Sequence, residues 1–120
     1  MTENAVVQKL AARLWERKAM DIVALDVQGM TVLCDYMILA SGRNANQVKA
    51  LADDVDEAAA EAGLTLRRSE GAGEGRWVVL DYATVLVHIF HQEERAFYHL
   101  ERLWDDGTNR VELGLDQSEN

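Results

Sequence analysis

A run of apolar residues in the second half of the chain, Trp77-Val78-Val79-Leu80, constrains the fold more than any other feature. Its composition predicts a β-strand, and successive side chains of a strand point to opposite faces of a sheet. Both faces of this strand therefore need apolar cover. A second strand-like run, residues 85–90, follows after the hairpin connection Asp81-Tyr82-Ala83-Thr84. The chain is therefore expected to build a sheet that is covered on both sides.

The other periodic segments predict the element order α-β-β-α-β-β-β-α. Helical spacing of apolar residues predicts helices over 2–18, 44–62 and 92–103, and strand-like runs occupy 21–27, 34–41 and 64–70. Asn44 and Gln47 have the spacing of a capping box, and Gly63 is placed to end the second helix. We expect a single α/β domain of mixed α+β type, with about five strands in a mixed sheet flanked by helices.

The C-terminal segment, residues 105–120, is strongly acidic. Its charged residues are Asp105, Asp106, Arg110, Glu112, Asp116 and Glu119. We expect a domain over residues 1–104 followed by a flexible acidic tail. The alternation of Val111, Leu113 and Leu115 leaves a short strand or docked segment as the alternative.

The formal net charge of -9 limits the class of partner. Neutralising phosphates requires clustered Lys and Arg, so we expect little or no direct binding of nucleic acid. An acidic domain suits a basic protein partner, although acidity can also serve solubility alone. The single cysteine, the N-terminus without a signal pattern and the lack of a long apolar run indicate a cytoplasmic protein with no membrane segment.

Two patterns resemble catalytic sites but lack the required context. Asp54 and Asp56 match an acid-apolar-acid pattern, yet residues two apart on a helix point in different directions and cannot share one metal ion. The glycines of the segment 71–75 resemble a phosphate loop. This loop joins two strands instead of opening a helix, and Glu74 within it would repel phosphate. We therefore expect a mobile connection there.

The histidines and the cysteine give no sign of a reactive centre. His88, His91 and His99 have no spacing typical of a zinc site. Cys34 begins a strand and has no neighbouring cation in sequence, which favours a buried, inert thiol. The sequence predicts no catalytic residue, no metal site and no cofactor.

The block 75–104 has the composition of an interface. We expect three helices in a domain this small to leave part of a five-stranded sheet bare, and exposed apolar patches usually mark binding sites. Trp77 and Tyr82 are residue types that dominate binding energy at interfaces. Tyr98 is predicted to share a solvent-facing side of the last helix with Arg95 and Arg102, which is typical of a binding hot spot.

The chain resembles the Iojap/RsfS family of ribosomal silencing factors from about residue 6 to residue 104. The matching segments are DIVALDVQGMTVLCDYMILASG, NQVKALADDV, GRWVVLDY and VHIFHQEERAFYHLERLW. The resemblance implies a nucleotidyltransferase-like fold without catalytic acids. It also implies binding to large-subunit ribosomal protein fourteen, which blocks joining of the small subunit and lowers translation when nutrients are scarce.

The resemblance also predicts which residues bind this partner. They are Trp77, Leu80, Asp81, Tyr82, His91, Arg95 and Tyr98. Asn46 stands where the family commonly has arginine, and Ala83 stands where glycine is frequent, so a positive φ at Ala83 would strain the hairpin by roughly 1 kcal/mol. Two other hypotheses remain open: a nucleotide-binding or nucleotidyl-transferring enzyme, and a self-associating module such as the homodimer that the resemblance makes plausible.

Overall fold

Five strands form one mixed sheet in the order β1-β2-β5-β4-β3. The structure, a computed structural model, describes residues 2–98 and 100–115, apart from the side chains of residues 96–98. Its elements are α1 Glu3–Glu16, β1 Met20–Asp26, β2 Tyr36–Gly42, α2 Ala45–Glu61, β3 Arg68–Glu70, β4 Trp77–Asp81, β5 Val85–His91, α3 Gln92–Tyr98 and α4 Glu101–Trp104. β2 and β5 are parallel and the other neighbours are antiparallel. The predicted fold class and element order are confirmed.

Two predicted elements differ from the structure. The last helix is not continuous, because α3 ends at Tyr98 and α4 begins at Glu101. The strand predicted over residues 64–70 pairs with β4 only from Arg68 onward. Leu64 and Leu66 instead pack against the core, and this apolar contact gives the segment its strand-like pattern.

The ends of α2 follow the predicted signals with one change. Asn44 Oδ1 accepts a hydrogen bond of 2.8 Å from the Gln47 amide, as an N-cap does. The return bond of a capping box is shifted by one residue, since Gln47 Oε1 accepts from the Arg43 amide at 2.6 Å. Gly63 has a φ of 84°, which suits its position just after the helix.

The main core lies between the sheet and the pair α1 and α2. Ala24, Ile38, Val87 and Leu80 form a row across four strands and all belong to this buried cluster. Leu10, Leu14, Val48, Leu51 and Val55 supply the helix side of the same cluster. Apolar burial on this face is the main stabilising contribution to the fold.

The opposite side of the sheet, here called the second face, carries a smaller apolar cluster. Its fully or largely buried members are Leu25, Val27, Cys34, Met37, Leu39 and Phe90. Leu100 and Trp104, from the segment after β5, pack against it, and Trp77 is partly buried at its border. The C-terminal helices therefore cover only part of the second face.

The segment after α4 lies along the outer edge of β1. The Asp26 amide donates to the Asn109 carbonyl, and the Val111 amide donates to the Ala24 carbonyl, each at 2.8 Å. Asn109 Nδ2 also donates to the carbonyls of Asp26 and Trp104. The sequence left two alternatives for the C-terminal segment, a flexible tail or a docked segment. Residues 105–115 are docked on β1, and residues 116–120 lie outside the described part of the chain. The division at residue 104 stays a prediction.

Candidate functional site

The residues predicted to bind a partner lie on β4, on the turn after it, at the end of β5 and on α3. Leu80 and Tyr82 are each only 3% exposed and belong to the main core beneath α1 and α2. Their side chains offer almost no contact area, so any role in binding would act through the shape of the turn. Trp77 and His91 are partly exposed, whereas the side chain of Tyr98 lies outside the described residues.

Tyr82 connects the β4–β5 turn to α2. Its hydroxyl donates a 2.8 Å hydrogen bond to Asp56 Oδ1. Burial and the adjacent Asp56 carboxylate raise the pKa of Tyr82 well above its usual value. The carboxylate of Asp54 instead lies 3.8 Å from Arg17. The two acids therefore have different partners, and the part of the chain that the structure describes contains no group of three His, Cys, Asp or Glu side chains able to hold a metal ion.

Asp81 shapes the turn that follows β4. Its Oδ1 atom accepts a 2.8 Å hydrogen bond from the Ala83 amide, and its Oδ2 atom lies 3.6 Å from Arg67. Ala83 has a φ of 72°, a left-handed conformation that is unfavourable for a residue with a Cβ atom. The sequence left open whether the turn has a positive φ at Ala83; the structure shows that it does, and the hydrogen bond from the Ala83 amide to Asp81 spans the turn.

Trp77, His88 and Phe90 form an aromatic group at one end of the second face. The Trp77 indole Nε1 donates a 3.0 Å hydrogen bond to His88 Nδ1, which requires the imidazole proton to be on Nε2. The Trp77 ring also lies 5.0 Å from Phe90 between centroids. Burial lowers the pKa of His88 to about 4, so the imidazole is neutral at pH 7. This group presents the partly exposed Trp77 ring in a fixed orientation.

Arg95 is a structural residue in this fold. It was predicted to lie on a solvent-facing side with Tyr98, but it is only 7% exposed. The Nε and Nη2 atoms of Arg95 donate hydrogen bonds of 2.9 Å and 2.8 Å to Glu101 Oε2. The Nη1 atom of Arg95 donates a 3.0 Å hydrogen bond to Ser41 Oγ. The prediction of exposure is therefore wrong, because the side chain crosses the break between α3 and α4 and fastens both to β2.

The histidines and the cysteine do not form a common site among the described residues. His91 Nδ1 accepts a 3.1 Å hydrogen bond from the Glu93 amide at the start of α3. His88 and His91 are three residues apart on β5 and so face opposite sides of the sheet, while His99 lies outside the described residues. Cys34 is buried, and burial raises the pKa of its thiol to about 11.

The glycine-rich loop makes a tight backbone turn. A Cβ atom on Gly71 would lie 2.0 Å from the Trp77 carbonyl oxygen, and the φ of Gly71 is 85°. The Gly75 amide donates to the Gly71 carbonyl at 3.1 Å. A Cβ atom on Gly75 would likewise lie 2.7 Å from the Ala45 carbonyl oxygen. Close backbone approaches therefore explain Gly71 and Gly75 without a bound phosphate.

One exposed feature was not singled out in the sequence. The loop between β1 and β2 presents Met30, Val32 and Leu33 to solvent. The signal was an apolar run directly after Gly29, in a place where turn residues are usually polar. None of the described helices is long and apolar enough to cross a lipid bilayer.

Comparison with known proteins assigns the family. The family model described as "Ribosomal silencing factor during starvation", RsfS, matches residues 1–120. The chain belongs to the RsfS family. The ribosomal silencing factor RsfS of Bacillus subtilis is 38% identical over 118 residues, which cover 98% of this chain and 100% of that protein.

Solved structures of RsfS-like chains have the same fold. An X-ray structure of a Chromobacterium violaceum protein has a TM-score of 0.85 at 32% identity and covers 100% of both chains. A crystal structure from Bacillus halodurans has a TM-score of 0.79 at 36% identity, covering 91% of this chain and 98% of that one. The RsfS family is one of ribosomal silencing factors, so a regulatory role linked to the ribosome follows for this chain.

Proposed function

We propose that this protein binds the large ribosomal subunit through ribosomal protein fourteen and sterically blocks joining of the small subunit. Translation would thereby fall under nutrient limitation, and the site of action would be the cytoplasm. The observation that carries the proposal is membership of the silencing-factor family over the whole chain. The net charge of -9 supports it, because a basic ribosomal protein would attract an acidic domain.

We propose that the contact surface centres on the exposed side of Trp77, with Tyr98 alongside, and that it extends around the end of the sheet to His91, the last residue of β5. The hydrogen bond from Trp77 to His88 fixes the indole before binding, which lowers the entropy lost on association. Leu80, Asp81, Tyr82 and Arg95 would contribute by holding the turn and α3 in position, since all four are buried.

Sucrose-gradient co-sedimentation with isolated large subunits tests this proposal. Asp81→Lys should abolish co-sedimentation, but it also removes the hydrogen-bond acceptor of the Ala83 amide and so must be checked for folding. Glu70→Lys is a cleaner variant, because Glu70 is exposed and pairs with Val79 beside Trp77. The matched control is Asp53→Lys, an exposed charge reversal on α2.

The expected result is that wild type and Asp53→Lys travel with large subunits and deplete joined ribosomes, while Glu70→Lys binds more weakly. Tyr98→Ala should also weaken binding while leaving the melting temperature nearly unchanged. If the wild type stays at the top of the gradient, the proposal fails. Equal binding by Glu70→Lys and wild type would move the contact surface away from β4.

We also propose that the protein acts without catalysis and without a cofactor. The separate partners of Asp54 and Asp56 support this, because a metal-dependent nucleotidyl transfer needs acids that converge on one ion. Isothermal titration with ATP or CTP and magnesium is expected to give no binding heat at millimolar ligand. Saturable heat would support the enzyme hypothesis instead.

Light scattering over a dilution series tests whether the chain forms a homodimer.

A further inference from the structure

The loop between β1 and β2 has three large apolar side chains exposed within four residues. Val32 is fully exposed, Leu33 is 69% exposed and Met30 is 41% exposed. Among the described residues the only other exposed large apolar side chain is Leu103. Single exposed apolar residues are common, but a cluster of this kind usually marks a binding surface.

Backbone hydrogen bonds anchor the base of the loop. The Val27 amide donates to the Asp35 carbonyl and the Asp35 amide donates to the Thr84 carbonyl, both at 2.9 Å. Val27 and Cys34 are buried at the base. Within the loop, the Leu33 amide donates to Thr31 Oγ1 at 3.1 Å. These bonds fix the base of the loop, and the Met30 amide donates to the Val27 carbonyl at 3.0 Å in the turn that leads to the apolar tip.

An acidic groove of about 590 Å³ runs beside the loop. Met30 lines it on the loop side, and the C-terminal segment lines it on the other. Its carboxylates are Asp26, Asp106 and Glu112. The one basic residue among the lining side chains that the structure describes, Arg110, is paired with Asp105 at 2.7 Å.

Further carboxylates stand close to the same loop. A hydrogen bond with Asp35, together with burial and the nearby charges of Asp35 and Asp26, raises the pKa of Glu3. Hydrogen bonds from Thr108 lower the pKa of Asp106, which keeps that groove carboxylate ionised at pH 7. The loop therefore combines an apolar tip with an uncompensated negative surface.

We propose that this loop and groove bind a cationic amphipathic segment of a partner protein. Apolar side chains of the segment pack on Val32 and Leu33, and its Lys or Arg side chains enter the groove between Asp26, Asp106 and Glu112. A nucleic acid does not fit, since its phosphates would meet carboxylates.

This surface is separate from the one proposed for the ribosome. β2 and β5 lie between β1 and β4, so these two strands are roughly 14 Å apart at three strand spacings. The loop and Trp77 therefore offer contacts on different strands of the sheet. The loop proposal stands or falls independently of ribosome binding.

Fluorescence anisotropy with the full chain and a labelled peptide tests it. The probe is a short peptide of alternating Leu and Lys pairs, compared with one peptide in which Glu replaces Lys and one in which Ser replaces Leu. We expect saturable binding of the first peptide alone, weakening as salt is raised. The double substitution Val32→Ser and Leu33→Ser should weaken it by about tenfold or more. Glu112→Lys should weaken it severalfold.

Two variants serve as matched controls. Leu103→Ser removes an exposed apolar side chain of similar exposure, and Glu74→Lys reverses an exposed charge in the glycine-rich loop. Both should bind the peptide as the wild type does. Equal weakening by these controls, equal binding of the Glu peptide, or no saturation below millimolar peptide overturns the proposal. So does a dimer of the wild type that the loop variant converts to monomer, since a second copy would then cover the loop.

Discussion

The Tyr82 hydroxyl and the Asp56 carboxylate, separated by 26 residues in the chain, are joined by a hydrogen bond of 2.8 Å. This bond links the turn after β4 to the middle of α2. Tyr82 is buried, so without this bond its hydroxyl would have no hydrogen-bond partner, and the folded state would be less stable. Asp56, one of the two acids of the acid-apolar-acid pattern, thus supports the turn that follows β4.

Tyr82→Phe is expected to lower the free energy of unfolding by about 1–2 kcal/mol, because it removes a hydrogen bond to a charged acceptor. Urea denaturation measures the change. Tyr36→Phe is the matched control, as Tyr36 is a buried tyrosine for which no hydroxyl hydrogen bond is seen within the described residues. Equal losses in the two variants would show that the bond to Asp56 does not stabilise the turn.

Ala83→Gly is expected to raise the free energy of unfolding by about 0.5 kcal/mol. Glycine relieves the unfavourable left-handed conformation at a φ of 72°, and this gain exceeds the added entropy of the unfolded chain. The control Ala60→Gly lies on the exposed side of α2 and should lose about 1 kcal/mol. A loss at position 83 as large as that control would contradict the strain assigned to the turn.

His88 is expected to make the protein less stable in mild acid. Its pKa is about 4 in the folded state and about 6.5 in the unfolded chain. Below pH 6.5 the unfolded state therefore binds a proton that the folded state does not, and stability falls as the pH drops toward 4. The full effect is about 3 kcal/mol.

The measurement is urea denaturation at pH 7 and pH 4.5 for the wild type and for His88→Gln. Glutamine does not titrate, and its carbonyl can still accept the hydrogen bond from Trp77. The loss of stability between the two pH values should be smaller in His88→Gln than in the wild type. An identical loss would assign the acid sensitivity to carboxylates elsewhere.

Cys34 is expected to resist alkylation in the folded protein. With a pKa of about 11, roughly one thiol in a thousand is ionised at pH 8, and the group is also buried. Reaction with iodoacetamide should therefore be slow until urea unfolds the chain. The control is Cys34→Ser with Val32→Cys, which places a thiol at the exposed loop tip. Similar rates for the two folded proteins would contradict the buried position of Cys34.

Local signals in the sequence predicted most of the fold. The spacing of Asn44 and Gln47 and the position of Gly63 located α2 to within one residue at each end. The break between α3 and α4 was not predictable, because the apolar residues on both sides of it have helical spacing. The break is stabilised by the ion pair of Arg95 with Glu101 and by the hydrogen bond from Arg95 to Ser41 of β2, a contact between residues far apart in the sequence.

The sequence did not predict which side chains of the candidate site are exposed. The run from Trp77 to Leu80 is apolar on both faces, so its pattern cannot tell which face the helices cover. Leu80 proved to lie under the helices, while Trp77 lies at the border of the second face. Arg95 carries a charge, which normally predicts exposure, and only its pairing with Glu101 and Ser41 permits its burial.

The docked segment after α4 has a further effect on β1. β1 is an outer strand of the sheet, and Asn109 and Val111 occupy backbone groups on its outer side. An unpaired outer strand is a template on which strands of other molecules assemble into aggregates. The other outer strand, β3, has only three residues, two of them charged. A chain shortened after Trp104 should therefore lose colloidal stability, precipitating at concentrations that the full chain tolerates, in addition to losing the contacts of Val111 and Leu113 with the main core.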